Sequence, residues 1–128
     1  MTARAPYAMG ALATLAAGIA ILLFAGGNSF FRGFMSDVVV VIFLYTLVKS
    51  FTWIPPTLLA ISILLLSLTV ETLQSFGAAD MLGLTGAART ALGTTFDWMD
   101  VVAYGVGVAV IYIMDRLVME RVAAESLD

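Results

Sequence analysis

Four apolar runs punctuate the chain, and the polar residues fall almost entirely between them or at their ends. The first run covers residues 7–25 and carries no charge. At 1.5 Å per helical residue it reaches about 28 Å, close to one hydrocarbon thickness. Gly10, Thr14 and Gly18 recur at every fourth residue, which puts three small side chains on one face, where a second helix can come close. Arg4 before the run and the small residues FAGGNS at its end also fit a cleavable signal peptide. The run exceeds the usual 7–15-residue signal core, so a retained helix is expected.

The second run, 38–53, follows Asp37 and stops before Pro55-Pro56, because proline lacks a backbone donor and clashes with the preceding turn. Its valine run at 38–41 reads as strand in water. In lipid a lone strand leaves its backbone unsatisfied, so helix is expected. The third run, 57–73, starts directly after the prolines, which predicts an antiparallel hairpin of the second and third helices with Trp53 at the interface. A polar, glycine-rich stretch, 75–96, follows; part of it, 78–91, could lie in the interface as a short helix with Met81, Leu82 and Leu84 toward lipid. The fourth span, 98–118, offers Gly105, Gly107 and Ala109 as a second close-packing surface. Asp115 beside Arg116 reads as a solvated end pair, and MERVAAESLD as a short amphipathic helix or coil leaving the membrane. The expected fold is all-α: a single membrane domain, 1–128, built as a four-transmembrane-helix bundle with one longer loop between helices three and four.

Composition agrees. Of 128 residues, 62% are hydrophobic and only 12% charged, and the mean hydropathy is +1.05. A soluble domain is nearer half apolar and a quarter charged. With no cysteine and no histidine, thiolate chemistry, disulfides and zinc hydrolysis fall away. A net charge of −3 argues against a nucleic-acid partner. No cofactor and no resident metal is expected, and enzyme activity is not.

With the N-terminus inside, the inner side holds Arg4, Lys49, Arg116 and Arg121, and the outer side Arg32 and Arg89. The bias predicts cytoplasmic termini. On that topology Asp37, Glu71, Asp97, Asp100, Arg32 and Arg89 converge at the outer leaflet, with Asp80 solvated in the loop. Ser67, Glu71 and Gln74 share one helix face; Asp97, Asp100, Tyr104 and Gly107 share another; Asp37, Val41 and Tyr45 align on a third. Charges near hydrocarbon are costly, so these faces should point into the bundle and enclose a polar cavity. Its candidate ligand-binding residues are Arg32, Asp37, Glu71, Gln74, Arg89, Asp97, Asp100 and Tyr104. Arginine forks suit phosphate or carboxylate, oxygen ligands suit Ca²⁺ or Mg²⁺, and a carboxylate pair could act as acid and base. The plainer alternative is that Asp37, Asp97 and Asp100 cap helix starts and pair with the arginines. Glu71 escapes that alternative: it stands at a helix C-terminal end, where the dipole disfavours an anion, and so needs a partner.

The strings FFRGFMSDVVVVIFLY, VETLQ and LGTTFDWMDVVAYGVG, in this order, resemble a bacterial membrane family described as domain of unknown function 2809, from Phe30 to about Tyr112. The second half also resembles VanZ-like proteins: Glu71 and Gln74 match an E..Q pattern, Arg89 matches a following Arg, and Asp100 and Tyr104 stand where that family has Asp and Asn. Tyr104 departs from the pattern. The resemblance implies a small polytopic protein of the cell envelope, in a family linked to low-level glycopeptide resistance.

Three functions are therefore expected, in order. The first is a protein of the bacterial cytoplasmic membrane with an outer-leaflet pocket for a lipid-like or glycolipid head group. The second is a structural or accessory subunit packed on a larger membrane complex or on copies of itself. The third is a small transporter or intramembrane enzyme; four short helices without a discontinuous repeat pair leave little room for alternating access. Membrane lipids are the expected partners throughout.

Overall fold

The computed structural model describes residues 4–24, 29–86, 98–125 and 127. Its elements are α1 (Ala5–Phe24), α2 (Ser29–Phe51), α3 (Pro56–Ser75), the single-turn α4 (Ala78–Met81) and α5 (Trp98–Glu125). There is no strand among the described residues. Four helices are long and apolar enough to cross a membrane, with spans at Ala5–Phe24, Arg32–Phe51, Pro56–Ser75 and Trp98–Glu125. The expected four-helix membrane bundle is therefore present.

Two boundaries differ from the hydropathy reading. α2 begins at Ser29, so Arg32 stands on the helix and not in a loop, and Asp37 lies inside it and caps nothing. Backbone bonding carries the helix past a polar prefix that hydropathy counts as loop. α5 also runs beyond the apolar stretch. Its α-helical part, Trp98–Met114, passes through a π-helical turn, Asp115–Met119, and resumes as Glu120–Glu125. The expected departing tail is thus the last part of α5, and it packs on the bundle through Met119 and Ala123.

The helices pack in the order α1, α2, α5, α3. α5 meets both α2 and α3 far more than these two meet each other, so the expected hairpin of the second and third helices is split by the fourth span. Pro56 opens α3 at its first position, where the missing N–H costs nothing. At the far end Gly77, at φ +77°, turns the chain into α4 in a conformation glycine adopts without penalty. Met81, the last residue of α4, and Leu82 after it are exposed, whereas Leu84, also expected to face lipid, is half-buried.

A single core runs through the bundle: Tyr7, Val41, Tyr45, Leu59, Ile63, Val108 and Ile111, with Met119 and Ala123 at the terminal end. Outward stand Leu12, Leu15, Leu22, Leu58, Leu65, Leu66, Val102 and Ile113, the apolar exterior of a protein whose solvent is lipid. Three of the expected small-residue contacts are real. A Cβ on Gly107 would lie 2.9 Å from the Val38 carbonyl oxygen, one on Gly10 3.2 Å from Thr46, and one on Gly18 3.6 Å from Val39. Thr14, between the two α1 glycines, returns its hydroxyl to the Gly10 carbonyl at 2.8 Å. Gly105 is different: nothing lies within 4 Å of its would-be Cβ, so it faces outward, two residues and about 200° from Gly107.

Candidate functional site

Polar side chains gather inside the bundle at two levels, one near each end. The end away from the termini carries the residues that the sequence singled out. Glu71, near the end of α3, is fully buried. The Tyr104 hydroxyl of α5 donates to its Oε1 at 3.0 Å. Gln74, one turn on, is buried beside it, and Ser67 returns its hydroxyl to the Ile63 carbonyl within α3 at 2.9 Å. Asp37 of α2 and Asp100 of α5 are half-buried and lie within electrostatic reach of the Tyr104 hydroxyl. Asp37 and Gln74 are engaged as well. Asp100 falls in the first turn of α5, where the helix dipole favours an anion. Of the expected meeting of the Glu71 stripe with Asp100 and Tyr104, the contact of Glu71 with Tyr104 is present across α3 and α5. Arg32 is exposed and does not reach into it. Arg89 and Asp97 lie outside the described residues. Asp80 is exposed, as a loop residue should be.

The other end holds a constellation the sequence reading missed. Asp115 is fully buried and is no solvated partner of Arg116, whose side chain points outward. Tyr7 of α1 donates its hydroxyl to Asp115 Oδ1 at 2.6 Å, and Tyr45 of α2 donates to Oδ2. The Lys49 ammonium stands 3.5 Å from the same Oδ2. It also donates to the Ile54 carbonyl at 3.2 Å and sits 5.1 Å from the centre of the Tyr7 ring. Three helices therefore contribute four side chains to one buried cluster, two of them from α2. Arg4 closes the rim, bonding the Phe51 carbonyl at 2.8 Å and lying 4.8 Å over the Trp53 ring.

Backbone geometry explains how α5 delivers Asp115. Its buried residues near this end, Ile111, Asp115, Met119 and Ala123, recur at every fourth position. In an uninterrupted α-helix four residues overshoot one turn by about 40°, so such a repeat drifts off the core. The wider turn of the π-helix absorbs that overshoot and keeps the carboxylate, the thioether and the alanine facing inward. A signal for this existed in the sequence. The stripe Asp100, Tyr104, Gly107 extends to Ile111 and then Asp115, and the stripe Val41, Tyr45 extends to Lys49, the chain's single lysine. Reading Asp115 against its neighbour Arg116 set aside the roughly 100° between successive helical side chains.

No group of three or more potential metal-ligating side chains is assembled among the described residues.

Fold and interior together define a polytopic membrane protein with four spans and a buried carboxylate near each end. The family model for the group described as protein of unknown function (DUF2809) matches residues 27–108, more than half of the chain, and the chain belongs to that family. The matched region contains Glu71, Gln74, Asp100, Tyr104, Tyr45 and Lys49; Tyr7 and Asp115 fall outside it. No curated protein and no solved structure matches the chain.

Proposed function

We propose that this is a bacterial cytoplasmic-membrane protein that binds the sugar head group of a membrane glycolipid at its Glu71 end. The carrying observation is the buried Glu71 carboxylate, aimed by the Tyr104 hydroxyl across the α3–α5 contact. Gln74 follows one turn on along α3, and Asp37 and Asp100 lie within electrostatic reach of Tyr104, a set rich in acceptors and suited to sugar hydroxyls, which are donors.

Native mass spectrometry of the gently extracted protein tests this reading. A glycolipid should be retained by the wild type. Glu71→Gln should lose it with little change in thermal stability, and Tyr104→Phe should weaken retention about tenfold, the worth of one hydrogen bond to a charged group. Retention unaltered by either substitution would refute the reading.

The head group is proposed to enter from outside. The support is the Lys and Arg bias, which puts Arg4, Lys49, Arg116 and Arg121 at the terminal end. A cysteine at Gly86 should react with an impermeant thiol reagent added to whole cells, and one at Glu125 only after lysis. The opposite pattern would move the Glu71 end to the cytoplasm and exclude an external ligand.

A further inference from the structure

Next to the Asp115 ion pair lies a half-open cavity of about 220 Å³, walled by Tyr7, Lys49, Trp53, Pro55, Glu120 and Ala124. Its volume is room for several water molecules. We propose that this cavity is a second site, separate from the Glu71 end, and that it takes the phosphate–ammonium head group of a zwitterionic membrane phospholipid.

Position argues for a lipid. The wall includes the turn between the α2 and α3 spans, which end and begin at Phe51 and Pro56. Head groups of a bilayer lie at this depth, and the exposed indole of Trp53 is the side chain that favours it. Most of the remaining wall is apolar, from Ile54 to Ala123, as the first carbons behind a head group require.

Charge argues for a zwitterion. The Lys49 ammonium bonds the Ile54 carbonyl, pairs with Asp115 and lines the cavity beside them. Lys49 and Asp115 answer each other's charge, with two hydroxyls completing the carboxylate's shell, so the pair is close to neutral and the net positive potential here comes from Arg4. Arg4, stacked on Trp53, adds positive potential at the same mouth. Phosphate is therefore favoured on the α1–α2 side. Across the cavity, α5 presents Glu120, an exposed carboxylate with no ion pair among the described residues. It faces the space where the ammonium of the head group would lie. A purely anionic lipid would meet Lys49 equally well but would leave Glu120 opposing it.

The test uses the full-length protein in detergent, supplied with phosphatidylethanolamine or phosphatidylglycerol and read by native mass spectrometry. The wild type should retain phosphatidylethanolamine about tenfold over phosphatidylglycerol, the worth of one charge-assisted hydrogen bond. Glu120→Gln should bring the ratio close to one with no loss of thermal stability, since the side chain is exposed. Ala124→Trp should fill the cavity and reduce retention of both lipids. Glu71→Gln should leave the ratio unchanged, so the result stands apart from the glycolipid reading. Equal retention of the two lipids by the wild type overturns the proposal, as does a preference that survives Glu120→Gln or Ala124→Trp.

Discussion

Asp115→Ala is expected to destabilise the bundle by about 3–5 kcal/mol, the usual cost of removing one partner of a buried ion pair. The substitution leaves the Lys49 ammonium, whose side chain is 5% exposed, with no carboxylate to answer it. It also strips the acceptor from two phenol hydroxyls, those of Tyr7 and Tyr45, which are themselves fully buried. Orphaned buried donors each carry a desolvation cost. A paired replacement tells a different story. Lys49→Met with Asp115→Leu removes both charges, and hydrophobic pairs of similar volume often match or exceed the ion pair they replace. The double variant should therefore be markedly more stable than Asp115→Ala. Unfolding in detergent, followed by temperature or by denaturing surfactant, of the wild type, Lys49→Met, Asp115→Leu and the double variant measures the four corners of that cycle, with Asp115→Ala beside them. An Asp115→Ala protein within about 0.5 kcal/mol of wild type, the range of an ordinary surface substitution, would show that the carboxylate is solvated after all.

The same residue shows where sequence reading works in a membrane protein and where it stops. Spans were legible because lipid tolerates only long apolar helices, so each run of apolar residues had one available structure. Glu71 was legible because its cost was visible in one dimension: an anion at a helix C-terminal end needs a donor, and Tyr104 supplies it. Helix order was not legible. The Pro55-Pro56 turn makes α2 and α3 neighbours in sequence, yet α5 packs between them, with Gly107 letting it come close to α2. The start of α2 was obscured because hydropathy drops before Val38 while backbone hydrogen bonding continues. Asp115 was missed because it was read against its sequence neighbour Arg116 and not along the stripe from Tyr104 through Ile111; only the positions after it, Met119 and Ala123, depend on the π-turn, which leaves no mark on hydropathy. The connection between its two structural levels is physical, however. α2 carries Asp37 near one end and Tyr45 and Lys49 toward the other, while α5 carries Tyr104 and Asp115 in the same way. Whatever fixes the spacing of α2 and α5 sets both sites at once.

Gly107 fixes that spacing, and Gly107→Leu is expected to be the more damaging of two glycine substitutions on α5. Even a methyl group there would sit 2.9 Å from the Val38 carbonyl oxygen and 3.3 Å from the Val38 Cα. These are backbone atoms, which cannot swing aside as the tip of a side chain can. Relief requires moving one helix away from the other, along a contact that holds Val41 and Val108 in the core. Overpacking of this kind costs about 1–3 kcal/mol for an added methylene or two, and leucine adds more. Gly105 supplies the control. With nothing within 4 Å of its would-be Cβ, Gly105→Ala should be neutral or stabilise by up to about 0.5–1 kcal/mol, because glycine carries an entropic cost inside a helix. Opposite signs from two glycines two residues apart would separate close packing from helix propensity, since propensity treats them alike. Melting temperatures of Gly105→Ala, Gly107→Ala and Gly107→Leu in one detergent decide the matter. If Gly107→Ala melts with or above the wild type, α2 and α5 are not in backbone contact there. The shared frame for the Glu71 and Asp115 levels would then have to be sought elsewhere in the bundle.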